Sequence, residues 1–177
     1  MKFLARFAVV LVALFLSMAA GVAQAEHIGA ALTGYQEVPS VSTVASGEFR
    51  GFINRNDDSI DYELTYGGLQ GTILQSHIHV AQRSVNGSIV IFLCQTATNP
   101  DPTGLAPPCP QQGTVTGRIT TENVIAGSMA PQQLTAGDLA EVIRAIRAGV
   151  AYANVHTNLS PGGEIRGQIK SANKHRD

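Results

Sequence analysis

The sequence predicts a mainly β chain, folded as an antiparallel β-sandwich or flattened barrel of about eight strands with one crossover helix. Three observations carry that expectation. Apolar and polar residues alternate with period two in successive runs; Gly, Pro, Asn and Asp cluster between those runs; and only one segment, at about residues 136–148, has helical periodicity. A charged fraction of 14% and 18 glycines in 177 residues fit a turn-rich β domain.

The chain begins with a segment unlike the rest. Lys2 and Arg6 give a positive start, residues 7–16 are apolar, and Ala23-Gln24-Ala25 is a small-residue cleavage site, so residues 1–25 read as a signal peptide. The apolar run is shorter than the ~20 residues a membrane span needs, so no stable span is expected after cleavage. Losing Lys2 and Arg6 takes the 12 basic residues to 10, against 13 acidic ones. The remaining basic residues are scattered and do not interleave with aromatics, which argues against a nucleic-acid partner.

The rest of the chain suffices for one domain, expected over residues 26–171, with a polar, frayed tail at 172–177. Cys94 and Cys109 both lie in this exported part, where an oxidising compartment, periplasmic or extracellular, favours a disulfide. The bridge would enclose Pro100, Pro102, Pro107 and Pro108. Closing a loop of ~15 residues is worth on the order of 3 kcal/mol in the chain-entropy model.

Strands are expected at 28–33 and 47–54, with a turn at Gly34-Tyr35-Gln36-Glu37-Val38-Pro39 and a small, polar loop between. Asn56-Asp57-Asp58-Ser59 then connects to a run in which Ile60, Tyr62, Leu64 and Tyr66 alternate with Asp61, Glu63 and Thr65, the clearest hairpin in the chain. In the next run Leu74, Ser76, Ile78 and Val80 alternate with Gln75, His77 and His79. Asn86-Gly87 predicts a tight turn into residues 88–94, apolar enough to be buried on both faces, and 114–120 is a further strand. The helix places Leu139, Val142, Ile143 and Ile146 on one face, with Thr135 and Asp138 in capping-box spacing, Arg144 and Arg147 on a solvated face, and Gly149 as its stop.

Residues 151–169 form the terminal hairpin around Ser160-Pro161-Gly162-Gly163. Ala151, Ala153 and Val155 share one parity and Tyr152, Asn154 and His156 the other; Ile165 and Ile169 oppose Glu164, Arg166 and Gln168. For both apolar sets to face one core, pairing must join residues of equal parity, His156 with Glu164 and Asn154 with Arg166, across an odd-numbered connection.

Ala31-Leu32-Thr33-Gly34-Tyr35-Gln36-Glu37-Val38-Pro39, His77-Ile78-His79, residues 151–158 and Gly162-Gly163-Glu164-Ile165-Arg166-Gly167-Gln168-Ile169 together resemble the CHRD domain, the module first recognised in chordin. The resemblance spans nearly all of the chain after the signal segment, with the motifs in the family's order. It implies a β fold and an extracytoplasmic location, as in bacterial members that are single exported domains. In the animal proteins the module belongs to an extracellular antagonist of bone-morphogenetic-protein signalling. The cysteine-rich von Willebrand C-type repeats of chordin are absent, so growth-factor binding does not carry over.

His77 and His79, two apart on a strand, point the same way and offer two nitrogens to one metal. His156 shares a polar face on another strand, and Glu164 is expected as a fourth ligand or as the acceptor that fixes the His156 tautomer. Tyr152, Asn154, Asn158 and Arg166 extend that face as a candidate binding surface. The His-x-His strand is similar to copper-zinc superoxide dismutase, but only His27 and His175 remain besides, too few for a bridged two-metal site. Nitrogen donors favour copper or zinc, bound more weakly as pH falls through the imidazole range near 6.5. The same side chains can instead form a hydrogen-bonded network over the outer face of a sheet. No phosphate loop and no nucleophile elbow is present. The expected function is a non-enzymatic binding or structural module with an extracytoplasmic protein or glycan partner, with a metal-binding protein or metalloenzyme as the alternative. Mass spectrometry of the exported protein should find Glu26 at its N-terminus; a retained Met1 would rule out processing.

Overall fold

The computed structural model describes residues 25–172; residues 1–24 of the signal segment and residues 173–177 of the tail lie outside the described residues. Nine strands, β1 Glu26–Thr33, β2 Ser46–Ile53, β3 Ile60–Gly67, β4 Ile73–Val80, β5 Ser88–Cys94, β6 Gly113–Ile119, β7 Ala151–Thr157, β8 Ile165–Gln168 and β9 Lys170–Ser171, and one helix, α1 Leu139–Ala148, make up the described chain. The strands form one antiparallel sheet in the order β5-β4-β7-β8-β1-β2-β3-β6, with β9 on β1. This is a nearly closed barrel, the flattened-barrel form of the expected architecture.

Closure is made between β5 with the loop that follows it and the opposite border, formed by β3, β6 and the segment after β6. Ile125 N–H donates to Val90 O at 2.9 Å, and Tyr62 Oη donates to Leu93 O at 2.6 Å. Tyr66 Oη donates to Pro110 O at 2.6 Å, and the Cys94–Cys109 disulfide ties the end of β5 to the segment entering β6. Inside, Ile60, Leu64 and Tyr66 of β3, Phe49 of β2 and Ala151, Ala153 and Val155 of β7 belong to one core.

The register of the terminal hairpin follows from parity. Asn154 pairs with Arg166 and Val155 with Ile165, which keeps Val155 and Ile165 in the core. Four local expectations are corrected. The helix begins at Leu139, capped by Asp138, whose Oδ1 accepts from Glu141 N–H at 2.9 Å; Gly137 at φ +79° breaks the backbone between Thr135 and the first helical turn. Arg147 stays exposed but is not simply solvated, because it bonds Glu26 at 2.8 Å and both carboxylate oxygens of Asp57. The turn between β4 and β5 falls at Arg83–Ser84, with Ser84 at φ +62°. Gly87 is needed for close approach, since a Cβ there would lie 1.9 Å from Val80 O.

The fourth correction matters most for function. Every residue of β7 and of β8 is buried, so the polar side of the hairpin is not an outer face. The turn at 34–39, the 81–87 loop and the 157–163 loop cover it, bonded to one another and to the hairpin's side chains. Leu139, Val142, Ile143 and Ile146 of α1 join the core as their spacing predicts. Ile143 is 1% exposed, so Ile143→Ala should lower unfolding free energy by about 2–5 kcal/mol in urea denaturation; a loss below about 0.5 kcal/mol would mean a surface position.

Candidate metal centre

Strand β4 lies beside β7, the adjacency that brings its histidines to the terminal hairpin. His77 pairs with Asn154, and His79 with Tyr152. On the other side of β4 the ladder to β5 shifts register between Ser76 and His77 and again between Ile78 and His79. Such irregularities re-aim side chains. The rings of His77, His79 and His156 converge, with centroids 4.8 Å apart for His77–His156, 5.4 Å for His77–His79 and 6.0 Å for His79–His156. One ligand nitrogen from each lies within 4.8 Å of the others. All three residues are buried.

Each of two rings is anchored at its back. His79 Nδ1 lies 2.9 Å from Gly87 O, and His156 Nδ1 lies 2.9 Å from Pro161 O. Both contacts need an N–H on Nδ1, which leaves Nε2 of each ring with its lone pair free. His156 Nε2 then accepts from His77 Nδ1 at 3.1 Å, and the His77 lone pair moves to its own Nε2. Among the described residues Nε2 of His77 and Nε2 of His79 have no hydrogen-bond partner. Phe92 covers His77 edge-on at 4.3 Å, and Tyr152 stacks on His79 at 4.7 Å.

Burial, with smaller contributions from neighbouring histidines, holds His77 well below the usual imidazole range, and burial lowers His156 as well. Burial takes His79 down to about 4, although its bond to Gly87 pulls the other way. The three rings are therefore neutral at neutral pH, the form that ligates a cation.

The structure uses Glu164 elsewhere. Gly163, at φ +127°, precedes it and β8 begins only at Ile165, so Glu164 lies outside the alternation that would aim it at His156. Its carboxylate accepts from Thr43 Oγ1, Gln70 N–H, Gly71 N–H and Thr157 Oγ1 at 2.8–3.3 Å. Burial pushes this carboxyl up, but those bonds outweigh burial and leave it below its ordinary value. Pro161 O takes the tautomer-fixing role expected of Glu164. Asn158 is exposed and is tied by backbone and side chain to Thr72, apart from the cluster.

Tyr152, Asn154 and Arg166 do join the buried polar layer. The Asn154 carboxamide lies 2.9 Å from His156 Nε2 and, facing a lone pair, can bond it only through its amide nitrogen. Arg166 stacks its guanidinium 3.3 Å from the Tyr152 ring centroid and donates to Asn86 Oδ1, Gln82 O and Val85 O. One further residue of this layer stands in the sequence only as part of a turn. Glu37 is 5% exposed, its Oε1 has no hydrogen-bond partner among the described residues, and burial raises its carboxyl to about 7 against the pull of Arg166. A Cβ at Gly163 would stand 2.3 Å from that oxygen and 2.8 Å from Asn154 Nδ2, so only glycine lets the 157–163 loop pass over Glu37. The signal was Gly34-Tyr35-Gln36-Glu37-Val38-Pro39, a charged residue inside a family motif.

The burial of these groups links stability to pH. Below about 6.5 the unfolded histidines take up protons that the folded ones refuse, so stability falls as pH falls, down to about 4 for His79. Glu37 acts in the opposite sense: between 4.5 and about 7 the folded carboxyl keeps a proton that the unfolded one loses, and that stability is lost as pH rises. Three histidines outweigh one glutamate. The urea midpoint should drop between pH 7 and pH 5, and it should drop more steeply in Glu37→Gln; equal slopes would show that Glu37 is ionised throughout.

A family model described as the CHRD domain matches residues 28–169 of the chain. Among curated proteins and among solved structures nothing matches.

Proposed function

The chain belongs to the CHRD domain family, and we propose that this member is an exported binding module whose three buried histidines hold one copper or zinc ion. The observation that carries the reading is the pair of unpartnered nitrogens, Nε2 of His77 and Nε2 of His79, beside a third imidazole in a dry interior. A purely structural network would satisfy its buried polar atoms, since each orphan costs roughly 1–3 kcal/mol. Here two ring nitrogens are left over where a borderline-soft cation would take them. His156 Nε2, already without a proton, would be the third donor, giving up its bond from the His77 Nδ1 N–H for the metal.

Gly87 O and Pro161 O support the same reading, because outer carbonyls that fix tautomer and ring orientation are what metal-ligating histidines require. Export to the periplasm or the medium is part of the proposal. A signal segment at 1–25 and a disulfide fit it, and among the described residues no helix is long and apolar enough to cross a membrane.

Titration of the mature protein with copper or zinc should show one site per chain. His77→Ala, His156→Ala together should remove it while circular dichroism shows the β fold kept; unchanged affinity would leave the histidines as a structural network. Because burial keeps the rings unprotonated below the ordinary imidazole range, affinity should hold as pH falls past 6.5 and weaken toward 4. This replaces the expectation of a midpoint near 6.5, which assumed solvated rings.

A further inference from the structure

We infer that a cleft beside the histidine layer binds a hydroxylated carboxylate of the sugar-acid type, an inference that goes beyond the metal reading and does not rest on it. The cleft, about 280 Å³, lies between the 34–40 turn, the 83–84 turn and β8, and its lining includes Tyr35, Gln36, Glu37, Arg83, Arg166 and Gln168. That volume suits one ring-sized ligand, at the small end of ligand pockets.

The charge of the lining points to an anion. Arg166 is 1% exposed, yet its three hydrogen bonds go to neutral oxygens, and no carboxylate bonds it among the described residues. Two of the five donors of a guanidinium are thereby left without a protein acceptor. A buried cation is expected to be paired. Glu37, the carboxyl whose charge acts on Arg166, is itself desolvated, and its protonated form supplies no countercharge. Arg83 is exposed and makes no ion pair or hydrogen bond among the described residues. Two cations therefore line one cleft with at most one compensating anion. A carboxylate in the cleft would complete the set, with Arg geometry suited to a two-oxygen acceptor.

The rest of the lining asks for hydroxyls. Gln36 Nε2 donates to Ala31 O at 2.8 Å, and Gln168 Nε2 donates to Ala81 O at 2.9 Å and Gly149 O at 3.0 Å. The amide nitrogen of Gln168 is spent on the protein and that of Gln36 has one of its two N–H groups engaged, so each carboxamide presents its oxygen as an acceptor, and neither oxygen has a protein partner among the described residues. Tyr35, 75% exposed at the lip, offers a rigid aromatic face for a sugar ring. A simple carboxylate satisfies only the arginines and a neutral sugar only the glutamines. A uronic acid satisfies both.

The test is calorimetric titration of the metal-free mature protein with sodium glucuronate, glucose and sodium acetate. Saturable glucuronate binding is expected below about 10 mM, the weak end of specific recognition, with acetate and glucose at least about tenfold weaker, as for loss of charge-assisted or neutral hydrogen bonds in a partly buried site. Arg83→Ala, whose side chain bonds nothing in the fold, should weaken glucuronate about tenfold. Tyr35→Ala should weaken it too, and because the protein titrated is metal-free, failure of sugar-acid binding is told apart from failure of metal binding. No saturation with glucuronate, equal binding of glucose or acetate, or an unaltered affinity in Arg83→Ala would overturn the inference.

Discussion

Arg166 lies in β8 with its guanidinium out of solvent, and removing a charge from water costs several kcal/mol unless its surroundings respond. The response is built from the covering segments. The 81–87 loop aims Gln82 O, Val85 O and Asn86 Oδ1 at it, Tyr152 offers its ring face, and Asn86 Nδ2 reaches on to Val38 O, so the loop and the 34–39 turn are held to the same cation. Gly87 then lies where its carbonyl meets His79 and its N–H meets Tyr152 Oη. Without the arginine the loops would lose the group that orients their carbonyls, and the histidine layer would open to water.

Dryness is what gives that layer its chemistry. A solvated imidazole spends much of its time protonated near pH 6, whereas rings sealed by Phe92, Tyr152 and the loops stay neutral and keep their lone pairs. Sealing also turns Glu37 into a carboxyl that holds its proton near neutrality. One physical cause, desolvation, thus lowers three bases and raises one acid within a single layer, and it does so through loops whose own sequence carries no metal-ligand motif.

Period-two alternation made much of the fold legible. In β3 and in the terminal hairpin the inward set was readable residue by residue, and the even-parity pairing of Asn154 with Arg166 followed from keeping Val155 and Ile165 on one side. The convergence of His77 with His156 was readable only as a condition, because which strands are neighbours across a long connection leaves no local trace. Glu164 was misread because parity was carried one residue ahead of β8, to a position that directly follows Gly163 at φ +127°. Glu37 was passed over because a carboxylate in a turn ordinarily faces water. Nothing in residues 34–39 announces that they fold back over β8. Asn86-Gly87 has the composition of a tight turn, but the asparagine serves Arg166 and the glycine serves a close approach to Val80.

The seam between β5 and β6 bears on where this chain can mature. Elsewhere in the barrel most neighbouring strands share ladders of several paired residues and β8 meets β1 at one pair, whereas β5 meets the opposite border through an isolated bridge from Ile91 to Val124, the Tyr62 hydroxyl and the Cys94–Cys109 bond. Unpaired sheet edges recruit one another. In a reducing environment the covalent clasp is missing, and each molecule presents two sticky borders during folding. Oxidation then acts as a form of quality control, separating a chain whose borders are clasped together from one able to pair with its neighbours.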